Sequence, residues 1–245
     1  MSLTEEQSLE RYLYRHLCQG IREFSLLGPG DHVLIGLSGG KDSLAMTELL
    51  ARFARTHRPS FSLHAIHVRM KDIPYLSDEQ FLADFCARNG VEFHLVQTEI
   101  AQHEGSKEKP HCFLCSWTRR KILFERAQQM GCNKIALGHH NDDILHTALL
   151  NQMFVGSFST MPVRLQMKKF PVTLIRPLCM IPEQRLEQWA TLRQYPQQLK
   201  RCPYEHETKR HAARRIYEAM ERENPELRYS LWHALKKAGK LVETD

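Results

Sequence analysis

Between an apolar run and a helical pattern the chain carries Gly36-Leu37-Ser38-Gly39-Gly40-Lys41-Asp42-Ser43. His32-Val33-Leu34-Ile35, just before it, reads as a short buried strand. Leu44-Ala45-Met46-Thr47-Glu48-Leu49-Leu50, just after it, has apolar residues at helical spacing. A strand therefore ends, a glycine-rich turn follows, and a helix begins. Backbone N–H groups point outward at such a turn, and the helix dipole adds partial positive charge. The turn is an anion site, best suited to phosphate.

A Walker A loop is spelled G-x-x-x-x-G-K-[ST]. Counted back from Gly40-Lys41, its first glycine falls on Ile35, and Asp42 stands where Ser or Thr binds magnesium. Both positions fail, so the turn is not a kinase-type P-loop. Ser38 to Ser43, Ser-Gly-Gly-Lys-Asp-Ser, instead resembles the PP-loop of the ATP pyrophosphatase superfamily, whose members split ATP into AMP and pyrophosphate. The bland alternative is an ordinary glycine-rich strand-to-helix turn.

The rest of the chain repeats the strand–helix alternation. Thr4 to Leu27 reads as one amphipathic helix with a Thr4-Glu5-Glu6-Gln7 capping box, ended by Gly28-Pro29-Gly30-Asp31. Strands are expected at Phe61 to Val68, Val91 to Val96, Lys134 to Leu137 and Val172 to Ile175. Helices are expected at Ser77 to Arg88, Cys112 to Met130, Asp142 to Phe154, Pro182 to Arg193, Glu205 to Glu223 and Pro225 to Lys237. Gly156 to Lys169 has no clear period, and Gln194 to Pro203 reads as a loop. This is an α/β, Rossmann-like pattern with a mostly parallel sheet, whose ligands sit at the carboxyl ends of the strands. The expected organisation is an N-terminal helix over 1–27, an ATP-binding domain over 28–180 and a C-terminal helical region over 181–245.

Composition sets the setting. The 245 residues include no apolar run near the roughly 20 that a membrane helix needs. Thr4 to Arg15 is charged rather than leader-like, so a cytoplasmic protein that does not enter a membrane is expected. Seven cysteines then argue for metal, redox or buried thiols rather than disulfides. Net charge is +6, and Lys200 to Lys240 holds eleven Lys/Arg against six Glu. That excess is either a solvated helical surface or a face for a polyanion such as RNA, with Arg214 and Arg215 within it.

Two further clusters carry chemistry. Gly138-His139-His140-Asn141-Asp142-Asp143 follows a strand and opens a helix. Its carboxylates can cap that helix or hold magnesium beside a triphosphate. Cys112-Phe113-Leu114-Cys115 opens another helix. A redox dithiol, a zinc site completed by Cys202 and His206, and an iron–sulfur cluster all remain open. Cys18, Cys86, Cys132 and Cys179 read as core thiols.

The ordered set is similar to the tRNA 2-thiocytidine synthetase (TtcA) family: Ser38 to Ser43, the C-x-x-C followed by Arg119-Arg120, Gly138 to Asp143, Ile175-Arg176-Pro177-Leu178, and a late Cys202. The resemblance runs from about Leu26 to about Tyr229. It departs at Asn141, where family members commonly carry Arg, at Glu205, where a second C-x-x-C is often completed, and at Met70 to Tyr75. The resemblance implies a cytoplasmic, usually dimeric enzyme that installs sulfur on a cytidine C2 of the tRNA anticodon loop. It implies a 4Fe-4S cluster on Cys112, Cys115 and Cys202, and a cysteine desulfurase-type sulfur donor. Ser38, Gly39, Gly40, Lys41, Asp42 and Ser43 would then hold the ATP phosphates. Gly138 and Asp143 would line the ATP site, Asp143 through Mg2+. Lys41, Asp42, Arg119 and Asp143 would carry the chemistry. Two rivals stand beside it: a cluster-free lysidine-synthetase-like ligase, and a non-enzymatic, zinc-stabilised nucleotide- and RNA-binding protein.

Overall fold

Val33, Leu34 and Ile35 are completely buried, and they form the middle strand from which the sheet grows in both directions. The computed structural model describes residues 4–56, 61–72, 75–76, 78–100, 111–196, 199–200 and 209–244. The central strand is β1 (His32–Gly36). It pairs in parallel with β2 (Ser62–Met70) on one side and β5 (Lys134–Ala136) on the other. Beyond β2 lies β4 (Glu92–Thr98), also parallel. Beyond β5 come β7 (Thr173–Ile175, parallel), β6 (Arg164–Gln166, antiparallel to β7) and β9 (Val242–Thr244, parallel to β6). Among the described residues the sheet order is β4-β2-β1-β5-β7-β6-β9. A separate antiparallel pair joins β3 (Tyr75–Leu76) to β8 (Leu199–Lys200).

Helices connect and cover the strands: α1 (Glu5–Glu23), α2 (Lys41–Thr56), α3 (Glu79–Asn89), α4 (His111–Gln129), α5 (Asn141–Phe154), α6 (Glu183–Leu192), α7 (Lys209–Glu223) and α8 (Leu227–Lys237). The expected capping box opens α1: Gln7 N donates to Thr4 Oγ1 (3.2 Å) and Thr4 N to Gln7 Oε1 (3.0 Å). Leu9, Leu13, Leu17 and Ile21 of α1 bury into the same core as β1 and α2. Asp78 caps α3 by accepting from Phe81 N, and Gly90 ends it in the left-handed conformation (φ +69°).

The mostly parallel α/β sheet is thus the one the alternation implies. Four short pieces depart from the expected pattern. β3 lies just before the expected helix at Ser77, β6 in the stretch without period, β8 in the expected loop, and β9 after the last helix. Each has three residues or fewer, too short for alternation to register.

The strand order also fixes where a ligand can sit. From β1 the chain goes out to β2 and β4, then returns through α4 to β5 on the far side of β1. The carboxyl ends of β1 and β5 therefore flank a topological switch point, where connections leave in opposite directions and a crevice opens.

Candidate active site

The turn after β1 is shaped by short polar contacts. Gly39 takes φ +84°, a left-handed conformation that favours glycine. Gly40 N donates to Ser38 Oγ (3.2 Å), Ser43 Oγ donates to Gly40 O (2.9 Å), and the Ser38 and Ser43 hydroxyls lie 3.1 Å apart. The loop is thereby folded onto the first turn of α2.

The turn after β5 comes directly against it. A Cβ on Gly138 would stand 3.1 Å from Ser43 N and 3.3 Å from Ser43 Cα. The two glycine-bearing turns, some hundred residues apart in sequence, meet backbone to backbone, and a side chain at 138 would hold them apart. Both turns lie at carboxyl ends of strands, where the α/β pattern places ligands.

Lys41 and Asp42 open α2. Lys41 Nζ lies 3.1 Å from Glu183 Oε1 and 3.3 Å from Asp42 Oδ1. Burial opposes its charge, but Asp42 and Glu183 outweigh burial and raise its pKa, so the ammonium is firmly protonated. Burial pushes the Asp42 carboxyl up, against the pull of Lys41.

Asp142 and Asp143, adjacent at the start of α5, have different fates. Asp142 Oδ1 accepts from Arg228 Nη2 of α8 (2.6 Å), and its Oδ2 accepts from Glu183 N at the start of α6 (2.7 Å). Burial raises its pKa, but Arg228 overrides that and holds the carboxyl below the usual range. Its two oxygens are occupied in joining α5, α6 and α8. Asp143 is more open: its side chain is 33% exposed, and Oδ2 accepts from His140 N (3.1 Å). With His140, His146, Glu183, Arg210 and Arg214 it lines a cavity of about 150 Å³ between α5, α6 and α7. The donor set therefore suits magnesium at Asp143 rather than at Asp142.

Two buried groups stand behind this turn. Burial, with Arg176 beside it, lowers the pKa of His139 to about 4, so its imidazole is neutral at pH 7. Burial likewise lowers that of Arg176 to about 10, which still leaves it charged. Asn141 is buried; its Nδ2 donates to Cys179 O (2.9 Å) and its Oδ1 accepts from Arg228 Nη1 (2.8 Å).

On the other side of Ser38, Gly36, Leu37, His67, Arg119 and Leu137 line a second cavity of about 160 Å³. His67 Nδ1 contacts Leu37 O at 2.8 Å, and burial lowers the histidine's pKa. Arg119 reaches this cavity from α4. On a helix, residues 112, 115 and 119 share one face. Cys115 therefore lies on the stripe of α4 that carries Arg119 to the crevice, near the helix's amino end. Cys115 is half-buried and forms no disulfide. The side chain of Cys112 and all of Cys202 and His206 lie outside the described residues.

Glu183, Arg214 and Arg228 are absent from the sequence-based site. Arg214 contacts Glu183 Oε2 (3.4 Å) and Glu218 (3.0 Å), so it belongs to the cavity wall as well as to the basic surface. Only the arginine excess of the last helices hinted at these groups; Glu183 carries no local signal.

A phosphate-type turn at the switch point, met by a second turn bearing carboxylates, defines a nucleotide-binding α/β protein, and the PP-loop domain model matches residues 13–235. The chain is 33% identical over 240 residues to the tRNA-cytidine(32) 2-sulfurtransferase of Citrifermentans bemidjiense, covering 96% of this chain and 93% of that one. It belongs to the PP-loop domain family and, within it, to the family of these sulfurtransferases. The relative from Methylibium petroleiphilum is 38% identical over 197 residues, 78% of this chain, and this chain spans 62% of its length. The Paracidovorax citrulli relative is also spanned over only 62%. Among solved structures, the U34-tRNA thiolase NcsA from Methanococcus maripaludis, with its 4Fe-4S cluster, superposes with a TM-score of 0.77 at 26% identity, covering 94% of this chain and 80% of that one.

Proposed function

We propose that this chain is an ATP-dependent tRNA sulfurtransferase that converts a cytidine of the anticodon loop to 2-thiocytidine. One observation carries the reading. Cys115 and Arg119 share one stripe of α4, and Arg119 lines the crevice beside Ser38. That arrangement supports a reading in which nucleotide activation and sulfur delivery meet in one crevice. The names of the relatives and of the thiolase neighbour point the same way.

The cytidine C2 oxygen attacks the α-phosphorus of ATP and pyrophosphate leaves. Sulfide then forms the bond to C2 as the C2–O bond breaks and AMP departs. Backbone amides of Ser38 to Ser43 receive the charge that builds on the pyrophosphate. Lys41 exchanges Glu183 for a phosphate oxygen. Asp143, with Asp42 beside it, would hold Mg2+, which would offset phosphate charge, while Asp142 keeps α5, α6 and α8 in place. Arg119 neutralises charge on the nucleotide side of the crevice. Cys112, Cys115 and Cys202 would be the thiolate ligands of a 4Fe-4S cluster, which when bound would supply the sulfur-handling end of the reaction. Sulfur comes from a cysteine desulfurase-type donor, and the working unit is a cytoplasmic homodimer. No described helix is long and apolar enough to cross a membrane.

The test is nucleoside mass spectrometry on tRNA incubated with anaerobically reconstituted protein, ATP, Mg2+ and sulfide. A gain corresponding to oxygen-to-sulfur exchange on cytidine, dependent on ATP, is expected. An added amino acid, or no modification and no AMP, overturns the reading.

A further inference from the structure

At the amino ends of β2 and β4, away from the crevice at their carboxyl ends, three metal-ligating side chains share one face of the sheet. In the parallel ladder His64 lies opposite Glu92, and Ile66 opposite His94. Side chains two apart on a strand point the same way, so His64, Glu92 and His94 converge. Their ligand atoms all lie within 4.8 Å of one another. Glu92 bridges the two rings, with Oε2 3.0 Å from His64 Nδ1 and Oε1 3.4 Å from His94 Nε2.

These two ring nitrogens are shielded from solvent, yet neither makes a hydrogen bond among the described residues. The distances are short enough; the direction is wrong. An imidazole presents one lone pair or one N–H in its ring plane. A shielded ring nitrogen that makes no hydrogen bond keeps its lone pair for a cation. In a tetrahedral zinc site with bonds of about 2.0–2.1 Å, neighbouring ligand atoms stand about 3.3 Å apart. The 3.0 and 3.4 Å contacts, one to each carboxylate oxygen, are of that order.

We infer that His64, Glu92 and His94 bind a divalent transition metal, zinc above all. Two imidazoles select against magnesium and calcium, which prefer oxygen ligands. Three protein ligands leave a fourth position for water. A cavity of about 340 Å³, lined by His94, Leu95, Val96, Arg126 and Met130, adjoins the cluster at His94. The metal clips the edge strand β4 to β2 and stiffens the border of the sheet. None of its ligands is a cysteine.

The experiment uses the full chain carrying its cluster, desalted and titrated with Zn2+, followed by calorimetry and zinc K-edge absorption. One equivalent is expected, with nitrogen and oxygen neighbours at about 2.0–2.1 Å and an imidazole scattering pattern. His64→Gln and His94→Gln should each weaken binding by at least about tenfold and abolish the rise in melting temperature that zinc gives the parent protein. Glu92→Gln, at a position 63% exposed in its side chain, should also weaken binding and guards against misfolding of the histidine variants. A first equivalent with sulfur neighbours at about 2.3 Å, or affinity unchanged in all three variants, overturns the proposal.

Discussion

Two strand–turn–helix junctions meet in the crevice, one after β1 and one after β5, and they present different groups. The first offers amide N–H groups and Lys41. The second offers two carboxylates, of which Asp142 is bound to Arg228 and to the backbone of α6, while Asp143 faces the cavity. A helix start therefore has no fixed chemistry of its own. What matters is which of its groups the rest of the fold has already engaged. Arg228, 86 residues away from Asp142 in sequence, decides which aspartate is left to meet a cation.

The largest effect falls on the first junction. Lys41→Ala should lower the rate of tRNA-dependent AMP release by about 10²–10³-fold, the scale of losing one preorganised donor to developing charge. Native-like urea unfolding should accompany it. A rate near that of the parent would remove Lys41 from the phosphate seat.

The second junction should split in two. Asp142→Asn leaves Arg228 without its buried partner and should cost about 2–3 kcal/mol, somewhat less than a fully buried pair because Arg228 is partly exposed. Asp143→Asn should cost under about 1 kcal/mol of stability, yet lose Mg2+-dependent ATP cleavage. Urea midpoints and AMP release, measured on both, decide. Equal stability losses would mean that the two aspartates are not divided as described.

A subtler effect lies behind that junction. The pKa of folded His139 is about 4, below its unfolded value of 6.5, so the unfolded chain takes up the proton first as pH falls. The stability this neutral imidazole contributes is complete above about pH 6.5 and is lost as pH falls toward 4. His139→Gln should flatten the fall in urea midpoint between pH 7 and pH 5. An unchanged slope would show that the ring titrates normally.

The smallest effect belongs to the exposed helix α7. Arg215→Glu should weaken tRNA binding only several-fold and reduce its salt dependence by about one to two charges. Unaltered binding would move the RNA face elsewhere. Arg214 is a poorer probe, since its contact with Glu183 ties it to the cavity.

Both junctions were legible in the sequence because each is spelled within eight consecutive residues and flanked by strand and helix periods. Their meeting followed from the alternation of strands and helices, which forces a switch point. Asn141 could be seen as a departure from family usage, but not that it packs beneath Arg228. Glu183 was invisible for a different reason. Its contact with Lys41 spans 142 residues, and nothing around Pro182 distinguishes it from an ordinary helix start. Likewise β6 and β9 exist because they find partners at the sheet's far edge, and three residues alone carry no period.

The Lys41–Glu183 pair has a consequence for selectivity. An arriving phosphate does not meet a vacant cation; it must outcompete a carboxylate already seated on it. A group that presents several phosphate oxygens displaces that carboxylate more readily than one that presents a single oxygen. Glu183 is thus an internal rival ligand for any anion that the turn accepts.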